Sequence, residues 1–163
     1  MNTASPSARR PRDTLAVVRA LLIVIWLAGL VGMGAELLLL GHTEGVWQWV
    51  PLILIVLSWL VLGWYAVRRR GACLRVFQVL MVLFLAGGVA GVVLHFLGKV
   101  EFNREMNPSL AGWALWRAAM EGAMPPILAP AAFIQFGLLG LVYTYRHPAL
   151  VISTESTNQK NLT

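Results

Sequence analysis

Two ionisable side chains interrupt long apolar runs of this sequence, and they are the first candidates for chemistry. Glu36 lies in the run that ends at Gly41, and His95 lies in the run that ends at Gly98. A carboxylate in an apolar run costs free energy unless it is protonated, paired or in contact with water. Because both residues fall near the same end of their runs, we predict that they can meet. The pair would be a structural hydrogen bond, two groups reaching separately to the membrane interface, or a proton-relay or ion-binding site.

A metal ion or a haem group is an alternative use of the same region. Imidazole and carboxylate groups bind ions such as zinc and copper. The candidate ligands are His42, His95, Glu36, Glu44, Glu101 and Glu105. A haem held by His42 and His95 would require both rings to face each other between two helices. No HxxxH or HExxH spacing accompanies these residues, so no cofactor is predicted outright.

The remaining polar residues within apolar runs have structural explanations. Ser58 and Gln135 can form hydrogen bonds between helices in a bundle. The only cysteine, Cys73, excludes an internal disulfide and a CxxC redox pair. The sequence contains no GxSxG, P-loop, GxGxxG or HExxH motif, so no catalytic residue is predicted and a non-enzymatic role is favoured.

Small residues predict where helices approach each other closely. Gly29 and Gly32 share a face with Glu36, and Gly87 and Gly91 have the spacing of a helix-packing motif. Without a hydrophobic force between helices in lipid, such residues promote association by letting backbones come close. We therefore predict contact between the first and third apolar helices. Gly137 and Gly140 indicate a second packing seam.

The elements that carry these residues are predicted to be membrane-spanning helices. Hydrophobic residues make up 58% of the 163 residues and charged residues only 12%, which excludes an ordinary soluble domain. A bilayer core of about 30 Å requires about 20 helical residues, and backbone groups in lipid must be satisfied within the segment. We predict an all-α integral membrane protein with four transmembrane helices in an antiparallel bundle. The helices are expected at about 15–41, 46–67, 74–98 and 125–146.

The segments outside these helices divide the chain further. Residues 1–13 form a basic N-terminal segment, 14–147 the transmembrane domain and 148–163 a polar tail. In the loop 99–124, Asn107-Pro108 is typical of a helix start. Trp113, Trp116 and Met120 follow at helical spacing, which predicts a short amphipathic helix on the extracytoplasmic side. Pro130 is expected to kink the fourth helix about one turn after its start.

The distribution of basic residues predicts the orientation. Ten of the 13 lysines and arginines lie at the two termini or between the second and third spans. The others are Lys99, Arg104 and Arg117, on the opposite side. Because positive residues are retained in the cytoplasm, both termini should be cytoplasmic in a bacterial-type inner membrane. Attraction to anionic lipid then explains the net charge of +6, and no nucleic-acid partner is predicted.

The sequence favours a function in interaction rather than catalysis. It predicts an accessory component of a membrane complex whose partners are the bilayer and either copies of itself or a larger assembly. One alternative is a protein that handles protons or metal ions through Glu36 and His95. A second alternative is a haem-binding membrane subunit.

Overall fold

A computed structural model describes residues 11–41, 45–121 and 129–151, with side chains from residue 14 onward. These ranges are helical and contain no strand. The helices are α1 (Pro11–Leu39), α2 (Val46–Arg68), α3 (Gly71–Met106), α4 (Gly112–Glu121) and α5 (Ala131–Thr144). A further helical turn covers residues 148–151.

Three of the helices are long and apolar enough to cross a membrane, as predicted. The candidate spans are Thr14–Leu39, Val46–Arg68 and Gly71–Met106. α3 continues past its predicted end at residue 98, because the polar residues after Gly98 include no glycine or proline before Pro108. Polar residues mark where a helix leaves the apolar layer, whereas the helix itself ends at a residue that breaks its hydrogen bonds.

The fourth predicted span differs in the structure. α5 has 14 residues, a length of about 21 Å at about 1.5 Å per residue, which is less than a bilayer core of about 30 Å. Residues 122–128, where the predicted span begins, lie outside the described residues. Pro130 is the N-cap of α5 and does not kink its interior, because a residue without an N–H suits a helix start.

α4 lies in the loop where a short helix was expected, but it begins at Gly112 and not at Pro108. Asn107 instead forms a turn, in which its Oδ1 accepts a hydrogen bond from the Ser109 N–H at 3.2 Å. α4 packs against α3 and buries Leu115 and Ala119. The opposite face exposes Trp113 and Trp116, whose rings stack with centroids 4.4 Å apart.

An aromatic cluster joins α1, α3 and α5 at the centre of the molecule. Trp26 is 1% exposed and lies edge-on to Phe77, with ring centroids 5.3 Å apart. Phe84 stacks on Phe133 at 5.2 Å. The Trp26 Nε1–H also donates a 2.9 Å hydrogen bond to the backbone carbonyl of Phe136. This bond satisfies the polar end of an otherwise apolar side chain inside the core.

Glycines bring α5 close to its neighbours. A Cβ atom at Gly88 of α3 would lie 2.8 Å from the Ile134 backbone nitrogen, and one at Gly91 would meet the Pro130 ring. Gly29 of α1 lies directly against the ring of Phe136 in α5. Only residues without a side chain permit these distances.

The predicted close contact between the glycines of α1 and those of α3 is therefore wrong. Gly29 and Gly91 both face α5, and no Cα atom of α1 comes within 8 Å of one in α3. Gly32 has nothing within 4 Å of a Cβ position, and Gly87 is nearest to Leu54 of α2. Small residues predict close packing but do not specify which helix will use it.

Candidate functional site

The structure places Glu36 and His95 on two helices whose backbones stay apart. The Glu36 side chain is exposed near the end of α1, whereas His95 is half-buried on α3 with its Nδ1 atom buried. Their Cα atoms are more than 8 Å apart, as are all Cα pairs between these two helices. The separation follows from the packing of α5 against the glycines of both helices.

The other predicted ligands are also dispersed. Glu101 and Glu105 are exposed on α3, beyond the apolar part of that helix. Within the described ranges, no three histidine, cysteine or acidic residues are placed to hold a metal ion. His42 and Glu44 lie outside the described residues, so of the proposed pair of haem ligands only His95 is described.

The two polar residues expected to link helices behave differently. Ser58 is buried, and its hydroxyl donates a 2.7 Å hydrogen bond to the Leu54 carbonyl of its own helix in place of a neighbouring one. Gln135 is exposed on α5. A hydrogen bond between helices joins α3 to α5, where the Gln78 amide donates to the Thr144 hydroxyl oxygen at 3.1 Å.

The structure instead gathers polar side chains at the end of the molecule where α2 and α5 terminate. We call this group, Arg19, Tyr65, Arg69, Tyr143 and His147, the end cluster. The His147 ring lies 5.6 Å from the Tyr65 ring and 5.7 Å from the Tyr143 ring, between centroids. The Arg69 guanidinium lies 5.6 Å from the centroid of the Tyr65 ring, within the range of a cation–π contact.

Arg19 attaches α1 to the end of α5. Its Nη2 donates hydrogen bonds to the backbone carbonyls of Tyr145 and Arg146, at 3.3 and 3.1 Å. The last carbonyls of a helix lack partners within the helix and carry partial negative charge, so a guanidinium there is favourable. Arg19 thus has a structural role in addition to the orienting role predicted from its charge.

His147 caps the short helical turn that follows α5. Its Nδ1 atom accepts a 3.3 Å hydrogen bond from the Ala149 N–H, and Pro148 occupies the first position of the turn. A nitrogen that accepts a hydrogen bond is unprotonated, so the ring is neutral and carries its proton on Nε2. Burial, assisted by the positive charges of Arg19 and Arg69, lowers the pKa of His147 below its usual value.

The lowered pKa predicts that acidification weakens this end of the fold. The neutral ring stabilises the folded chain above a pH of about 6.5, the pKa in the unfolded state, and this contribution is lost as the pH falls through the folded pKa. Melting temperature in detergent should decrease between pH 7.5 and 5.5. His147→Asn keeps a capping side chain without a titrating ring and should show a smaller decrease. Equal decreases in both proteins would contradict this role for His147.

A groove leads from the end cluster along the surface of α1 and α2. It has a volume of about 400 Å³ and is open along the surface. Its walls are apolar, and the Tyr65, Arg69 and Tyr143 side chains line its end. No signal in the sequence indicated this groove, because its parts come from distant segments and each is typical of a membrane boundary when considered alone.

Comparison of the chain with family models, with curated proteins and with solved structures gives no match. The inference of function therefore depends on the surfaces and side chains described above. Two of them differ from an ordinary lipid-facing surface. They are the exposed face of α1 around Glu36 and the groove that ends at Arg69.

Proposed function

We propose that this chain is a small, non-enzymatic, multi-pass protein of a bacterial-type inner membrane, where it acts as an interaction component of a membrane complex. In this proposal α1, α2, α3 and the segment that contains α5 form an antiparallel four-helix bundle. Both termini are cytoplasmic and α4 is extracytoplasmic. The strong asymmetry of basic residues between the two sides supports this orientation.

One observation carries the interaction role: an exposed carboxylate on the small-residue face of an apolar helix. The side chains of Ala28, Ala35 and Glu36 are exposed on α1, and Gly32 has open space where a Cβ would be. At about 100° per residue these four positions occupy one face of the helix. The face points away from Trp26 and Leu30, which are buried against the rest of the molecule.

This face suits a second helix better than it suits lipid. Small residues let a partner backbone approach closely, whereas acyl chains gain little from them. A carboxylate within an apolar helix is costly in lipid, and a donor or cation on a partner helix would satisfy it. A copy of this chain or another membrane protein can provide that helix.

Enlarging the face should disrupt the complex. Gly32→Leu fills the open space and should reduce the amount of complex about ten-fold, a loss of about 1.4 kcal/mol. Glu36→Leu removes the hydrogen-bonding group and should reduce it by a similar factor. The complex is measured in native membranes by photo-crosslinking from residue 28 or 35, followed by electrophoresis and mass spectrometry of the adducts.

The matched control is Gly98→Leu, since Gly98 of α3 also has nothing within 4 Å of a Cβ position. This variant should keep the wild-type yield of adducts. Positions on α1 that give protein adducts should recur every three or four residues, as expected for one face of a helix. Val56, on the exposed surface of α2, should give no protein adduct. Adducts to lipid alone from residues 28 and 35 would refute the proposed interaction face.

A further inference from the structure

The groove between α1 and α2 has the shape and polarity of a site for one lipid chain. Ile23 and Leu27 of α1 form one wall, and Trp59 and Leu62 of α2 form the other. Along α2, the distance from Trp59 to Arg69 is about 15 Å at about 1.5 Å per residue. Gly63 also lines the groove, and nothing lies within 4 Å of its Cβ position.

Positive charge is concentrated at the end of this apolar groove. Arg69 lines the groove, and Arg19 lies near enough that, besides burial, the charges of both residues lower the pKa of His147. Among the side chains that the structure describes, no carboxylate forms an ion pair with either arginine. Two like charges close together and without a carboxylate favour the binding of an anion.

Arg69 is held at the groove by the local backbone. It ends α2 in the left-handed conformation, with φ of 52°, and its N–H donates to the Tyr65 carbonyl at 2.8 Å. The guanidinium then lies near the Tyr65 ring at the end of the groove. The neighbours Arg68 and Arg70 are exposed and do not line the groove.

We propose that this groove binds an anionic phospholipid. One acyl chain lies between α1 and α2, and the phosphate group contacts the guanidinium of Arg69. The groove complements this ligand at both ends, because its apolar walls suit the acyl chain and Arg69 suits the negative headgroup. The proposal is independent of the interaction face on α1, which lies on another side of that helix.

The test measures retention of lipid by the purified full chain. Native mass spectrometry from mild detergent compares phosphatidylglycerol with phosphatidylcholine of the same chain composition. Phosphatidylglycerol should bind more tightly, and Arg69→Asn should weaken its binding about ten-fold, because the charge-assisted contact with the phosphate is lost. Gly63→Leu should fill the groove and weaken the binding of phosphatidylglycerol as well.

Two controls separate lipid binding from folding and from general charge. Arg68→Asn and Arg70→Asn remove the same charge next to the groove and should keep wild-type binding. Asparagine tolerates the left-handed conformation, so Arg69→Asn should keep the wild-type melting temperature. Equal binding by all three variants, equal affinity for the two lipids, or unchanged binding in Gly63→Leu would each overturn the proposal.

Discussion

Gly137→Ala should destabilise the protein by about 1–3 kcal/mol, although it adds a single methyl group. The new Cβ would lie 2.7 Å from the backbone carbonyl oxygen of Met81 and 2.9 Å from the Leu85 side chain. A side chain can rotate away, but the carbonyl belongs to the rigid backbone of α3. The two helices must therefore separate, which loosens the contacts around the whole α3–α5 interface.

The measurement is the free energy of unfolding in a mixed-detergent titration, followed by circular dichroism. Gly98→Ala is the matched control, because a Cβ there meets nothing within 4 Å. Gly88→Ala should resemble Gly137→Ala, since its Cβ would lie 2.8 Å from the Ile134 backbone nitrogen. The double variant should lose less than the two single losses together, because one separation of the helices relieves both clashes. A stability for Gly137→Ala equal to that of Gly98→Ala would contradict the close approach.

The long helices were predictable because the solvent dictates them. An apolar run of the length of α2 must satisfy its own backbone in lipid, and this requirement needs no knowledge of the partner helix. The end of α3 at Met106 was harder to predict, because residues 99–106 include several charged residues but are compatible with a helix. α5 begins at Ala131, directly after Pro130, whereas Pro125-Pro126, where the sequence predicts the start of the fourth span, lie outside the described residues.

The pairing of helices could not be read from the sequence. Gly29 and Gly91 were both predicted to pack against a helix, and the structure places Gly29 against Phe136 and Gly91 against Pro130. A glycine removes a steric barrier for any neighbour, so its position specifies a surface and not a partner. The predicted meeting of Glu36 and His95 depended on that pairing, which explains why these residues lie apart.

The end cluster illustrates the same limit for polar residues. Arg19 and the Arg146 carbonyl that it binds are 127 positions apart in the sequence. The capping contact of His147 with Ala149 could have been suggested by the proline at position 148. Its position between two tyrosine rings required the three-dimensional arrangement of α2 and α5.

Trp26→Ala should cause the largest loss of stability, about 3–5 kcal/mol, because it removes the side chain at the junction of three helices. Trp26 contacts Phe77 and Phe84 of α3, with ring centroids at 5.3 and 6.4 Å. These side-chain contacts connect α1 to α3, although no Cα atoms of the two helices come within 8 Å of each other. In a bilayer the main loss is of dispersion contacts. Lipid chains cannot replace these contacts, because the cavity is enclosed by protein.

Trp26→Phe distinguishes packing from the hydrogen bond. It keeps an aromatic ring in the cluster but removes the Nε1–H that donates to the Phe136 carbonyl, and it should lose only about 1 kcal/mol beyond the effect of the smaller ring. Trp64→Ala is the matched control, because Trp64 is 49% exposed and should change stability little. Unfolding titrations that place Trp26→Ala near Trp64→Ala would contradict the central position of Trp26. Equal losses in Trp26→Phe and Trp26→Ala would mean that the bond to Phe136, and not the ring, joins α1 to α5.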